Sequence, residues 1–545
     1  MWTRTQLGDR EPSGRVDEPS GSNWSSRAGA GILQDATHES AATRAWDVIA
    51  VLACTAWMTV ALTIGFARVV GNWGVESDFF ERDVRGAHDV LAGQPYLNMH
   101  YPPGYVYLLA AVEQLTGDFF AAGLIISAVS SALLGLAAYG LLKSLFGQPN
   151  ALMATLMLLP ALAPYAFTAS TDVVANLFLL IPVWLAFRRS PTALRCAVSG
   201  LAAGAAYLLR YNAVFVLGGI PLALMLFSPQ DHPWGRRVSH VASFLLAALL
   251  VTSPWLITNW QRHGNPFATD LYLQIAAHFH HPRGDAFPRN FSEVAGASHS
   301  TVGVLASDPL KVIKKFVKDV AHDRIFALSL GVTPFPGFLL IGAGLLVYLR
   351  DLTKRRASLL LICLMGYFLH GLAGYAPRFY LFLFPLLFIC LVLAVHEVNR
   401  LPMTFEGRRL RWGLGGAVVT ILLVGSVYGA VVKTRNFFDA APTELLEMAQ
   451  ILERRAAPGD ALLTIEPHLV YLTGLKQVRG EAGDQIEQYV SKIDKEHVRF
   501  VVYSKHEQAY WPGLAALSDP DRLPPQFTVL YRHAPSETIL YEIRR

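Results

Sequence analysis

The chain has 545 residues, of which 53% are hydrophobic and only 16% charged, with a mean hydropathy of +0.35. Soluble globular proteins carry about 25% charged residues, so a wholly soluble globular protein is excluded. The net charge of +5, with no basic cluster interleaved with aromatics, gives no nucleic-acid-binding surface. Several apolar runs reach the roughly 20 residues that cross a bilayer, which makes this a polytopic α-helical membrane protein. Cys54, Cys196, Cys363 and Cys390 all fall in apolar segments and form no CxxC motif, so they read as small buried residues.

Residues 1–45 are rich in Ser, Gly, Ala and mixed charge without an apolar period, and are expected as a disordered tail. No positively charged region leads directly into an apolar one, so no cleavable signal peptide is expected. The transmembrane domain is expected over 46–432, with about eleven spans. They lie roughly at 46–66, 119–142, 150–166, 172–187, 193–209, 212–227, 239–257, 325–349, 357–374, 379–396 and 412–432. One set of short loops holds fourteen Lys and Arg, among them Lys143, Arg188, Arg236, Lys354 and Arg408. The opposite set holds only Arg210 and Arg378. The positive-inside rule makes the first set cytoplasmic, with the N-terminus inside and the C-terminus outside.

Three larger pieces then face outward: loops 67–118 and 258–324, and a module over 433–545. The second loop ends in DPLKVIKKFVKDVAHDR, where Leu310, Val312, Ile313, Phe316, Val317 and Val320 recur at helical spacing. That pattern fits an amphipathic helix in the membrane interface, or one packed on the protein's own outer surface. In the last module a helical pattern at Thr443–Arg455 precedes strands at Ala461–Ile465, Val498–Tyr503, Phe527–Tyr531 and Thr538–Ile543. This is a small α/β domain, and it has no glycine-rich nucleotide loop.

The stretch ESDFFERDVRGAHDVLAGQPYLNMHYPPG follows the first span. Acids beside a bilayer are costly unless they meet water, a partner or a substrate. Asp78 and Glu76 are therefore site candidates, against the alternative of a solvated loop. Tyr101 opens the Tyr-Pro-Pro turn behind them. Asp172, Arg210, Asn259, His370 and Arg378 are the other polar residues at the outer span ends. The spans themselves are nearly free of charge, so any membrane-level chemistry converges on the outer face. A transporter more often carries ionisable residues or broken helices near the midplane. Each candidate also has a plain reading: Asp172, after Ser170-Thr171, as a helix cap, and Arg378 and Arg210 as snorkelling anchors. His278, His280 and His281 form an HFHH run, but spacing alone does not make ligands converge, and they read as polar loop histidines. Asn290-Phe291-Ser292 is a glycosylation sequon only in a eukaryotic secretory membrane, and this chain reads as bacterial.

Six segments, in order, resemble polyprenyl-phosphate-sugar-dependent glycosyltransferases of the GT-C superfamily, above all bacterial relatives of protein O-mannosyltransferases and aminoarabinose transferases. They are Asp78 with DVLAGQPY and YPPG; Ser170-Thr171-Asp172; GLAAGAAYLLRYNAVFVL, which holds Arg210; SPWLITNWQRHGNPF, which holds Asn259; HGLAGYAPRFYLFLFPL, which holds His370 and Arg378; and EPHLVYLTGL. The resemblance covers nearly everything from residue 46 onward. Many relatives have an adjacent Asp-Glu pair in the first loop, whereas here the acids are separated as Glu76-Ser77-Asp78. Asp78 is the better match, because it directly precedes Phe79-Phe80 and the helix leading to Gly93. Glu81, Asp83 and Asp89 read as solvated or helix-positioning.

The resemblance implies a GT-C-like bundle in a bacterial plasma membrane, with its active site outside. The donor would be a polyprenyl-phosphate-linked sugar and the acceptor a hydroxyl on a lipid, glycan or protein. Asp78, or Glu76, would take the acceptor proton. Arg378 would bind the leaving phosphate, with His370 and Arg210 in support. Asp172, Asn259 and Tyr101 would bind or orient substrate or hold the first loop. Whether a divalent metal ion assists is left open. A transporter or flippase of lipid-linked sugars, or a non-catalytic envelope scaffold, are the alternative classes.

Overall fold

A computed structural model describes the backbone of residues 25–188, 190–228, 232–280, 300–324, 337–372, 377–400, 404–405, 408–409, 413–479, 486–510 and 512–544. The chain divides into two compact units, Met1–Val48 and Ile49–Arg545. In chain order the helices are α1 (Ser25–Phe66), α2 (Val75–Asp78), α3 (Arg85–Leu91), α4 (Gly104–Thr116), α5 (Phe119–Phe146), α6 (Gln148–Ala161), α7 (Ala163–Ala166), α8 (Asp172–Phe187), α9 (Ala193–Leu209), α10 (Val214–Phe227) and α11 (Trp234–His263). There follow α12 (Leu271–His280), α13 (Thr301–Ser307), α14 (Pro309–Lys318), α15 (Gly337–Arg350), α16 (Lys354–Leu372), α17 (Phe384–Arg400), α18 (Gly413–Asp439), α19 (Glu444–Arg455), α20 (Pro467–Thr473), α21 (Ile486–Lys495) and α22 (Lys505–Tyr510).

This is an integral membrane protein. Among the described residues five helical stretches are long and apolar enough to cross a bilayer: Arg44–Phe66 in α1, α5, α11, Arg378–Arg400 ending in α17, and Gly415–Arg455 from α18 into α19. Helices α6, α8, α9, α10, α15 and α16 stand at the other six expected positions, and are only 14 to 19 residues long. At 1.5 Å per residue most of these fall short of a roughly 30 Å hydrocarbon core. Residues 25–45, expected as part of a structureless tail, have helical backbone, as their Ala-rich composition permits.

Small residues let the helices close on one another, as membrane bundles require where apolar burial gives no advantage over lipid. On the face where α9 meets α11, a Cβ at Gly200 would stand 2.1 Å from the Phe244 carbonyl oxygen, and one at Gly204 would stand 2.7 Å from that of Ala248.

At one end of the bundle lie α2–α4, α12–α14 and a five-stranded sheet. Helix α14 is apolar on two sides. Val312 and Phe316 pack with Ile275, Phe279 and Val304 of α12 and α13, while Leu310, Ile313 and Val317 are exposed. The packing expectation is met on one edge, and the other edge is left exposed. The sheet comprises β1 (Ala461–Leu463), β2 (Lys476–Val478), β3 (Val498–Tyr503), β4 (Phe527–His533) and β5 (Thr538–Ile543), in the order β2-β1-β3-β5-β4. Strands β2, β1 and β3 run parallel and the other pairings are antiparallel. Alternation places Leu462, Phe500, Val502 and Leu540 on one face, against Leu445, Met448 and Leu452 of α19. Leu463, Val501, Tyr503 and Tyr541 face the other way, onto Tyr489 and Ile493 of α21.

Candidate active site

The first loop is fixed by a buried carboxylate. Arg68, just past α1, donates from Nη1 to Glu76 Oε1 and to the Phe167 carbonyl, both at 2.7 Å, and pairs with Glu76 Oε2 through Nη2. The backbone N–H groups of Ala169 and Asn72 each donate to Glu76 at 2.7 Å. Both side chains are buried. The Arg68 guanidinium lies over the Phe437 ring at 4.5 Å. Every lone-pair direction of Glu76 is thus engaged, and the loop is tied to the segment leading into α8. Glu76, one of the two candidate proton acceptors, has no route to water or substrate.

Asp78, at the end of α2, faces the other way, and its side chain keeps 50% of its accessible surface. The chain then makes a wide π-helical turn over Phe79–Val84. Phe79 fills space that α5 leaves at Gly123, where a Cβ would meet its ring at 2.8 Å. This anchor sets where the neighbouring carboxyl points. Enclosure by protein raises the Asp78 carboxyl above its usual range, opposed first by Arg82 and then by Arg378.

Around Asp78, cations and acids alternate. Arg378 Nη2 is 3.6 Å from Asp78 Oδ2, and its Nε is 3.9 Å from Asp172 Oδ2. Arg210 Nη1 is 2.6 Å from Asp172 Oδ1. Asp172 is therefore a buried counter-ion at the first residue of α8, and no hydrogen bond from its side chain caps that helix. The guanidiniums of Arg210 and Arg378 lie 5.0 and 5.3 Å from the Phe379 ring centre. The buried Nε of Arg378 has no hydrogen-bond partner among the described residues. Asp83, read from the sequence as solvated or helix-positioning, is buried because the wide turn carries it inward. It takes two 2.7 Å hydrogen bonds from Arg82. Arg82 in turn stacks 3.7 Å over the Tyr101 ring.

His370 is buried near the end of α16, with Nδ1 2.7 Å from the Gly366 carbonyl and Nε2 2.9 Å from Asn212 Nδ2. The carbonyl can only accept, so Nδ1 carries the proton and Nε2 accepts from Asn212. Beside this pair lies a cavity of about 90 Å3, lined by His100, Tyr101, Arg210, Tyr211, Asn212, Leu271, Gln274, His370 and Phe379. Asn259 does not line it. Asn259 donates to the Pro266 and Ala268 carbonyls, each at 3.4 Å, and so shapes the turn after α11.

The fold thus brings together Asp78, Asp172, Arg210 and Arg378, with Tyr101 and His370 at the adjoining cavity, and leaves Glu76 and Asn259 in supporting positions. Arg68, Arg82, Asp83, Asn212 and Phe379 are the residues that sequence reasoning does not single out. His278 Nε2 pairs with Asp319 at 2.9 Å. Among the described residues no three His, Cys, Asp or Glu side chains converge for a metal ion. The side chain of His280, and all of His281 and Asn290-Phe291-Ser292, lie outside the described residues.

The outer sheet region buttresses the first loop. Phe80 packs 4.9 Å from His468 and 4.8 Å from Tyr471, both on α20 within the EPHLVYLTGL segment. Tyr471 donates to Asp118, the cap of α5. Arg479 pairs with Glu81 at 2.5 Å, and Trp73 stacks on His506 at 4.3 Å.

Residues 100–258 match the family model for dolichyl-phosphate-mannose-protein mannosyltransferase. No curated protein matches the chain in sequence. Among solved structures, ArnT from Cupriavidus metallidurans bound to undecaprenyl phosphate is similar at a TM-score of 0.56 and 12% identity, covering 91% of this chain and 98% of that one. Its apo state gives 0.57 and 14%, covering 92% and 98%. The apo oligosaccharyltransferase of Archaeoglobus fulgidus gives 0.51 and 12%, covering 90% and 74%. At these identities the likeness is one of fold alone, shared with ArnT and the archaeal oligosaccharyltransferase.

Proposed function

We propose that this chain is an inverting glycosyltransferase that moves a sugar from a polyprenyl-phosphate donor to an acceptor hydroxyl at the outer face of a bacterial plasma membrane. The observation that carries this reading is the pairing of a half-exposed carboxylate, Asp78, with Arg378, an arginine whose donors are not consumed by it. The likeness to ArnT bound to undecaprenyl phosphate supports a lipid-phosphate donor.

In this mechanism the acceptor oxygen attacks the anomeric carbon from the side opposite the phosphate. Asp78 takes the hydroxyl proton as the new C–O bond forms, and its enclosure makes it a better base than a free aspartate. The old C–O bond breaks, and the electron pair leaves with the polyprenyl phosphate. Arg378, with Arg210 behind it, meets the charge developing on the phosphate oxygens. Asp172 lies between the two guanidiniums and limits their mutual repulsion. A row in which carboxylates already face guanidiniums suits an incoming anion better than a second cation, so we assign the phosphate to arginines and no step to a divalent metal. Tyr101 and His370, with Asn212, shape the adjoining cavity, which we assign to the sugar.

Charge collected at one end of the bundle favours this reading over a transporter. The test is to supply the purified chain with a panel of polyprenyl-phosphate sugars and an acceptor extract, and to measure release of free polyprenyl phosphate. Release with one sugar supports the proposal. No release with any of them, from protein that binds the donors, would leave the transporter or scaffold readings.

A further inference from the structure

The opposite end of the bundle holds a second cavity that the chemistry above does not use. Helices α8 and α10 run from Asp172 and Val214 near the site to Phe187 and Phe227, and α16 runs from Lys354 to the site at His370. Between the far ends of these three helices is a cavity of about 260 Å3. Among the described residues Phe187, Pro191, Leu224 and Phe227 give it apolar walls, three serines add hydroxyls, and Lys354 and Arg355 are its only charged lining residues.

The two cations are weakly committed. Among the described residues Lys354 reaches the Ser228 carbonyl, at 3.5 Å. Arg355 is exposed and has no ion pair among the described residues. A solvated cationic patch needs no apolar slot behind it, and a slot for hydrocarbon alone needs no cations. One class of molecule needs both, an anionic phospholipid, whose phosphate sits beside the first methylenes of its acyl chains. Basic pockets between membrane helices bind such headgroups for this reason. Leu222 and Leu226, one turn apart on α10, are exposed and continue an apolar surface along that helix.

We infer that this cavity holds one anionic phospholipid, with Lys354 and Arg355 on its phosphate and Phe187, Pro191, Leu224 and Phe227 against its glycerol and upper acyl chains. This site is independent of the proposed transferase chemistry, and its test needs no turnover.

The full chain, purified in neutral detergent, is titrated with phosphatidylglycerol, with phosphatidylcholine of the same acyl chains, and with soluble glycerol 3-phosphate. Retained molecules are counted by native mass spectrometry. One phosphatidylglycerol should be retained per chain in preference to phosphatidylcholine. Arg355→Gln should weaken it about fivefold, as expected for one basic residue at a membrane surface, and Lys354→Gln with Arg355→Gln should weaken it further. Arg236→Gln, which removes an exposed cation outside the cavity, should leave it unchanged. Equal retention of phosphatidylcholine, or unchanged retention by the double variant, would overturn the assignment. So would displacement by glycerol 3-phosphate at equal concentration, which would make this a soluble-phosphate site. If the double variant melts early, Arg355→Gln alone decides, because that exposed side chain supports no internal contact.

Discussion

Asp78 and Glu76 are two residues apart, yet their surroundings assign them opposite work. Glu76 neutralises Arg68 in a buried pair, and removing one partner from such a pair costs about 3–5 kcal/mol. Glu76→Gln should therefore lower the melting temperature sharply, rather than selectively lowering turnover of folded protein. Asp78→Asn should melt like the wild type, bind donor with unchanged affinity and lose about 10²–10⁴-fold in turnover. A full-rate Asp78→Asn protein would remove the base from the mechanism. A base acts when deprotonated, so the rate should rise with pH through the Asp78 pKa, which enclosure raises above 3.8. That acidic limb should be missing from whatever rate Asp78→Asn retains. Arg378→Lys replaces a planar fork with a point charge. It should weaken donor binding with little change in melting, and unchanged donor affinity would reduce Arg378 to an interfacial anchor. Asp78, Asp172, Arg210 and Arg378 were legible in the sequence as rare charges at span ends. The separation of Glu76 from Asp78 was not, because it depends on Arg68, which at the end of a span looks like an ordinary anchor. Nor was the burial of Asp83, which lies in a π-helical turn that the sequence pattern does not reveal.

Among the elements, the sheet region behind the first loop combines acids with deep burial. Glu507 is buried on α22 and accepts from Thr464 Oγ1 at 2.5 Å and from the Ile465 N–H at 2.9 Å. Burial pushes its carboxyl up from 4.5 to about 7, and burial with the neighbouring acids holds that of nearby Glu466 well above its usual range. The folded form therefore holds the Glu507 proton more tightly than the unfolded chain does. Its contribution to stability is complete below pH 4.5 and is lost as pH rises through about 7. His468, driven down to about 3 by burial, acts in the opposite sense: its contribution is present above 6.5 and lost as pH falls toward 3. A difference measurement separates the two. The melting temperature of Glu507→Gln relative to wild type should climb between pH 5 and 8, and a flat difference would show that Glu507 does not titrate there. The strands β1, β3, β4 and β5 were legible because alternation over apolar residues is a local signal. Strand β2, three residues of KQV, pairs with β1 only through tertiary context and left no such signal.

For the whole molecule, the arginine and lysine bias predicts an orientation, and the packing brings the candidate residues together. A reporter active only outside the cytoplasm should work when fused after Arg545 and fail when fused near Lys354. The reverse result would place Asp78 on the wrong side for the proposed chemistry. Hydropathy placed helices at the expected positions, α8 and α9 to the residue, although among the described residues only five are long and apolar enough to cross a bilayer. Irregular backbone at Arg210–Ala213 and before Asp172 lies beside the candidate site residues. The buttressing of the first loop also has a consequence in time. Glu76 closes its bonds only when Ala169 has been made, 93 residues later, and Asn72 finds the Phe437 carbonyl only after 365. At synthesis rates of about 5–20 residues per second, the first of these waits lasts roughly 5–20 s and the second roughly 20–70 s. Phe80 waits longer still for His468 and Tyr471. The loop that carries Asp78, the proposed base, is thus among the first segments to be synthesised and among the last to be clamped in position, so a ribosome that stalls before the final domain releases a chain whose helices are made but whose first loop is unanchored.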